Sequence, residues 1–222
     1  MKKIIDKAIV LRRVNYGESD RVITMLTQQN GKISVFAKGC RKQKSRLSGG
    51  IELLCLSEVG YIDGKSKLRT LTSASLIHHH QELVRDIKIT KNVFEALKKV
   101  DKLSDDDAGQ EYFQTLSTYL SCLCDDSYDL DLVEAWFNLQ LLNISGVLGS
   151  VSVEGENTSQ EYKFDFDKHQ FRASSGGSFS RNDIKLIRLL KSQDKPIRLM
   201  QKLGSESNVL GFTGTLMSIN LT

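Results

Sequence analysis

The hydrophobic period of the chain changes near residue 81, and that change limits the possible folds more than any single motif. Before it, apolar residues run in short blocks or alternate with polar ones. Ala8-Ile9-Val10-Leu11 is a compact apolar run, and Arg21 to Thr27 is rich in β-branched residues. Asn30-Gly31 marks a hairpin turn, after which Ile33, Val35 and Ala37 alternate with Lys32, Ser34 and Lys38. Leu53 to Ile62 and Lys67 to Leu76 flank Asp63-Gly64, a second hairpin signature. In the last of these strands the period places Leu68, Thr70, Thr72, Ala74 and Leu76 on one face, with Lys67 and Arg69 on the other. Five short strands without intervening helices predict a small closed or nearly closed β-barrel over residues 1–80.

From residue 81 onward the spacing becomes helical. Val93, Leu97 and Val100, with Phe94 and Leu103, predict one helix; Tyr112, Phe113, Leu116, Tyr119, Leu120 and Leu123 predict a second. A third, capped by Asp131, carries Leu132, Val133, Trp136, Phe137, Leu139, Leu142 and Ile144. So little polar surface is left that it belongs at the centre of a bundle, with Gly146 and Gly149 as its stop. Residues 150–178 are polar and irregular, with room for one hairpin built on Tyr162, Phe164, Phe166 and Phe171. Helices resume at Ser180, where Asp183 completes a capping box, and again at Asp194-Lys195-Pro196 with Ile197, Met200 and Leu203. Gly204 to Thr222 is rich in Gly, Ser and Thr and shows no clear period. The fold class is therefore α+β: a barrel domain at 1–80, then a helical domain at 81–222 with an insertion at about 150–178.

Charge follows the same division. The 222 residues carry a formal net charge of only +4, but residues 1–80 hold 15 Lys and Arg against 6 Asp and Glu, a balance of +9. Residues 81–150 stand at −7 and residues 151–222 at +2. A basic barrel followed by an acidic helical stretch predicts that a polyanion binds the first and proteins bind the second. The densest cluster is Lys38-Gly39-Cys40-Arg41-Lys42-Gln43-Lys44-Ser45-Arg46, with five cations in nine residues and no acid. Like charges bundled on a loop repel one another and contribute nothing to folding, so phosphate is their natural partner. Lys32, Lys65, Lys67 and Arg69 extend the patch. Arg12 and Arg13 point to opposite faces, so only one of them, taken here as Arg13, joins it. Tyr16, Phe36 and Tyr61 are the only aromatics available in this region for base stacking.

Other constellations carry less. His78-His79-His80 places two imidazoles on one strand face, with no further ligand at metal spacing. Cys122 and Cys124 diverge on a helix, and Cys40 and Cys55 are isolated. Asp105-Asp106-Asp107 and Asp125-Asp126 have the composition of a metal-dependent nuclease site. They sit in inter-helix turns, where caps and dipoles favour acids anyway. No phosphate loop, nucleophile elbow or ordered triad is present, so the expectation is a binding protein without metal or cofactor. Four cysteines, a charged N-terminus and the lack of any apolar run of about eighteen residues predict a cytoplasmic chain with no membrane segment.

The run Leu11-Arg12-Arg13-Val14-Asn15-Tyr16-Gly17-Glu18-Ser19-Asp20-Arg21, then Gly31-Lys32, then Ala37-Lys38-Gly39-Cys40-Arg41, then Ser45-Arg46-Leu47, strongly resembles the bacterial RecO family. The resemblance implies an N-terminal OB-fold barrel, which agrees with the strand count, followed by a helical domain with a zinc-ribbon-like insertion. Many members carry four zinc cysteines in that insertion. This chain has no cysteine after Cys124 and is similar to the subgroup without zinc. The resemblance also implies non-catalytic DNA work associated with the nucleoid. It comprises binding of single- and double-stranded DNA, annealing of strands coated with single-strand-binding protein, and loading of RecA together with RecR in gap and break repair. For capture of the single-strand-binding protein's acidic, apolar tail, Lys185, Arg188, Lys191 and Arg198 are the expected basic rim. The alternatives are an OB-fold RNA-binding factor and a metal-dependent nuclease.

Overall fold

A computed structural model describes the chain apart from residues 1, 65–66, 85, 107, 149–150, 152, 155–160, 197–205 and 222. By compactness it divides into two units, Met1–Leu120 and Ser121–Thr222.

The first unit is built on five strands: β1 (Lys2–Tyr16), β2 (Asp20–Thr27), β3 (Gly31–Ala37), β4 (Cys55–Asp63) and β5 (Leu68–His79). They close in the order β1-β2-β3-β5-β4, with every pairing antiparallel except β3 against β5. This is the five-stranded OB arrangement. Ala8, Val10, Ile23, Met25, Ile33, Val35, Val59, Tyr61 and Leu71 fill the interior, joined by Cys40 and Ile51 from the β3–β4 connection. Burying each large side chain contributes about 2 kcal/mol, so this core supplies most of the barrel's cohesion.

β1 is much longer than its apolar run. Within it Ala8, Ile9, Val10 and Leu11 are all buried, because the barrel core takes one face and helix α1 (Ile87–Leu103) packs against the same strand. α1 starts on an Asp86 cap and buries Val93, Ala96, Leu97 and Val100, as its spacing predicts. The strand carries a bulge between Val10 and Arg12. β5 departs from strict alternation. Its register to β4 shifts between Gly60 and Tyr61 and again between Leu56 and Ser57. A bulge flips which side chains face inward, so Leu71 and Ala74 are buried while Leu68 and Leu76 stand exposed, against the single-face expectation.

Gly31 shows why the second turn needs glycine. Its φ is +64°, and a Cβ there would lie 2.6 Å from the carbonyl oxygen of Asp106 and 2.9 Å from the backbone nitrogen of Ala108. The connection between α1 and α2 (Gln110–Leu123) thus presses directly on the β2–β3 turn. The change of hydrophobic period at residue 81 therefore falls inside the first compact unit.

In the second unit, α3 (Leu130–Ile144) is buried along nearly its whole length, from Leu132 to Leu142, as a central helix must be. Its cap is Asp129, whose carboxylate accepts from the Asp131 and Leu132 amides, rather than Asp131 itself. Gly146, at φ +75°, follows its end. α4 (Arg181–Ser192) begins with the expected Ser180–Asp183 capping box. Helix α5 (Glu206–Leu221) corrects the reading of an unpatterned C-terminus: Val209, Phe212, Thr213, Leu216 and Met217 form a buried stripe packed on α3 and α4. The helix expected to carry Ile197, Met200 and Leu203 lies outside the described residues.

The insertion holds more than one hairpin. β6 (Val153–Glu154), β7 (Glu161–Asp165), β8 (Gln170–Ala173) and β9 (Phe179–Ser180) form a four-stranded sheet in the order β6-β8-β7-β9. Where the resemblance implies a zinc-ribbon-like insertion, the described residues hold a cluster of phenylalanines. Phe164 packs on Phe171, Phe171 on Phe179, and Phe212 of α5 touches all three, with ring centroids 4.9 to 5.5 Å apart. Such edge-to-face contacts are worth about 1 kcal/mol each beyond area burial, and soft apolar rings offer no ligand to a metal. The residues present do not fit zinc.

Candidate nucleic-acid interface

The nine-residue basic loop leaves β3 directly after Ala37 and is fixed by backbone bonds on its inner side. Gly39, at φ +63°, donates its N–H to Asp20 Oδ1 at 2.7 Å, and the same oxygen accepts from Ser19 Oγ at 3.0 Å. The Gly39 amide is the main reason the Asp20 carboxyl titrates below its ordinary value. The Ser19 hydroxyl and the nearby Lys38 and Lys42 charges add to this against opposing desolvation. The Arg41 N–H donates to the Ser19 carbonyl at 2.9 Å, and its guanidinium reaches the Gly17 carbonyl at 3.3 Å. Lys42 N–H to Gly39 O and Ser45 N–H to Lys42 O close two further turns. Cys40 is buried in the barrel, its thiol pushed up by desolvation, and Leu47 packs on the same core. The loop is thus held by the β1–β2 turn beside it and by two apolar anchors.

Outward, the loop presents Lys38, Arg41, Lys42, Lys44 and Arg46, all exposed. Among the described residues no carboxylate pairs with Lys38, Lys42, Lys44 or Arg46. The other predicted cations stand differently. Arg13 and Arg21 both clasp Glu52, which follows the short helical turn Ser48–Gly50. Lys32 donates to the Asp101 carbonyl at 2.5 Å and lies 3.6 Å from its carboxylate, which also holds Arg12 at 3.2 Å. Arg69 is paired with Asp63 at 3.2 Å and lies over the Tyr61 ring, 6.0 Å from its centroid. Lys67 meets Asp106 at 3.5 Å but is 95% exposed, so that pair is weak and screened. Lys65 lies outside the described residues. The patch that sequence groups together is therefore two populations: a loop of unpaired charge and a wall of neutralised charge. Arg21, Glu52 and Asp101 give no local signal of their roles, because each partner lies far away in the chain.

The aromatics also divide. Tyr61 is fully buried, whereas Tyr16 is 61% exposed and meets Phe36 edge to face at 5.6 Å. His80 is buried, its Nδ1 3.0 Å from the Leu54 carbonyl oxygen, and desolvation holds its pKa down. Asp125 caps Ser127 in its turn. Among the described residues no three His, Cys, Asp or Glu side chains gather at a metal-binding distance. On α4, Lys185 and Arg188 are exposed, and Arg188 Nε donates to the Val151 carbonyl at 2.9 Å. Lys191 turns inward to the Leu148 carbonyl, with its pKa lowered by desolvation; Arg198 lies outside the described residues. Among the described residues no helix is long and apolar enough to cross a membrane.

Comparison with known proteins gives a consistent result. The family model "Recombination protein O N terminal" matches residues 1–80. The DNA repair protein RecO of Heliobacterium modesticaldum is 36% identical over 147 residues, 66% of this chain and 53% of that protein. The chain therefore matches about half the length of that relative. A protein of the same name from Dehalococcoides mccartyi is 29% identical over 214 residues, covering 90% of this chain and 83% of the relative. One from Listeria innocua is 26% identical over 199 residues, 82% of this chain and 75% of the relative. The residues that carry the resemblance, Gly17 to Asp20 and Lys38 to Arg41, are the two segments that bond to one another at the base of the loop. An OB barrel is built around that junction: its residues match the N-terminal family model of recombination protein O, and the chain as a whole is similar to proteins named DNA repair protein RecO.

Proposed function

We propose that this chain is a DNA-binding recombination mediator acting in DNA repair, in the cytoplasm at the nucleoid, with no chemistry of its own. The observation that carries the reading is the anchored loop of unpaired cations on an OB barrel. Its relatives' shared name, DNA repair protein, is consistent with it. Each phosphate neutralised releases counterions, so affinity arises mainly from salt-sensitive contacts that tolerate any sequence. Such a surface holds single and double strands alike. It also lowers the repulsion between two approaching strands without trapping either, which is the requirement for annealing.

On this reading the protein anneals strands coated with single-strand-binding protein and, with RecR, promotes RecA loading. Lys185 and Arg188 form the basic rim for the single-strand-binding protein's tail. Lys191, drawn inward, contributes less than its sequence position predicts. The test is an ATP-free annealing assay on complementary oligonucleotides precoated with single-strand-binding protein. Acceleration by the chain is expected, with loss in the variant Arg41→Gln, Lys42→Gln, Lys44→Gln, Arg46→Gln; unchanged annealing in that variant refutes the reading. A tail peptide should lose affinity for the variant Lys185→Glu, Arg188→Glu, and equal binding would move the tail site elsewhere.

A further inference from the structure

We propose that Tyr16 and Phe36 form a base-stacking platform beside the basic loop, giving the protein a preference for single-stranded over double-stranded DNA. The proposal rests on the DNA-binding reading above and deepens it.

Strand register makes the case. Val14 pairs with Val22, Val22 with Phe36, and Phe36 with Thr70, one continuous row across β1, β2, β3 and β5. Their neighbours Ile23, Val35, Ala37 and Leu71 belong to the barrel core, so this row faces outward. Tyr16 sits at the next outward position of β1, beyond Val14, and Leu68, paired with Ser34, flanks the row on its other side. Tyr16 is 61% exposed, Val14 47% and Leu68 41%. Lone exposed apolar residues are ordinary on protein surfaces, but a connected strip carrying two rings is not. On that side β1 and β2 are already occupied: Arg12 bonds to Thr24 and holds Asp101 of α1, which Lys32, two residues before Ser34 on β3, also meets.

The occupant follows from what borders the strip. Phe36 is two residues from Lys38, and Tyr16 adjoins Gly17, whose carbonyl receives the Arg41 guanidinium. Apolar ring faces lie next to unpaired cations, an arrangement that suits the bases and phosphates of one nucleic-acid strand. In the edge-to-face pair, with planes at 82°, neither ring covers both faces of the other; Tyr16 stands exposed and Phe36 is half-buried. Bases in a duplex stay stacked on one another and cannot reach these rings, which is the source of the single-strand preference.

The experiment compares binding of the full chain to oligodeoxythymidylate, to an abasic oligonucleotide of equal length and charge, and to a duplex, each over a range of salt. The wild-type protein should favour thymidylate over the abasic strand by about tenfold or more. The variant Tyr16→Ala, Phe36→Ala should erase that margin while leaving the salt slope and duplex affinity unchanged. The variant Tyr16→Phe, Phe36→Tyr should retain it. A margin that survives the alanine variant overturns the proposal, as does equal weakening on all three probes, which would mark the rings as merely structural. If the wild-type chain binds every probe without discriminating bases, this proposal falls and the loop reading stands; if it binds none, both fall.

Discussion

The basic loop at Lys38–Arg46 and the barrel wall facing α1 are both cationic in sequence and opposite in effect. On the wall, Asp101 answers both Arg12 and Lys32, and that joint helps seat the helix on the sheet. In the loop the cations stand unpaired, while the backbone beneath them is bonded to the β1–β2 turn. A count of positive residues therefore overstates the surface offered to a polyanion. What matters is where each carboxylate lies.

The largest effect that would break this comparison is in the loop. Replacing Arg41, Lys42, Lys44 and Arg46 by Gln should lower the slope of log affinity against log salt by about three to four units, read by fluorescence anisotropy titration. A slope unchanged by four lost charges would make the two regions equivalent after all. Next, Asp101→Ala should release Arg12 and Lys32, raising the slope by about one unit. It should also cost about 1 kcal/mol of stability in denaturant unfolding, because a half-buried cation loses its partner.

A smaller effect separates the loop's anchor from its charges. Asp20 is held in its ionised form by folding, so its stabilising contribution is full above its unfolded value and is lost as pH falls through the lower folded value. The Gly39 amide should therefore lose protection, measured against its intrinsic exchange rate, only as pH falls below the ordinary aspartate value, and in Asp20→Asn it should do so already at neutral pH, both read by hydrogen exchange. Smallest of all, Lys32→Gln or Arg69→Gln should change the salt slope by less than about half a unit, since each charge is already answered by a carboxylate.

Much of the architecture is legible in local pattern. Alternation and two glycine turns mark the barrel strands, and the spacing of Val93, Leu97 and Val100 marks α1. The almost wholly apolar stretch Leu132–Leu142 puts α3 at the centre of its unit. The misses have physical causes. Val209, Phe212, Leu216 and Met217 carry a helical stripe, yet Gly211 and Gly214 and the surrounding hydroxyl residues weaken the local propensity; burial against α3 and α4 overrides it. In β5 the bulges reverse the alternation on which a period-two reading depends.

By itself, the sequence determined the barrel strands, helices α1 to α4, the family motifs and the position of the basic loop, because each depends on neighbours within a turn or a hairpin. Only the tertiary structure decided which cations stay unpaired and which rings are exposed. Arg12 meets Asp101 across 89 residues and Arg13 meets Glu52 across 39. Tyr61 is buried and Tyr16 exposed, although both are tyrosines on barrel strands. Electrostatic pairing and burial act through space, and proximity in space is what the fold creates.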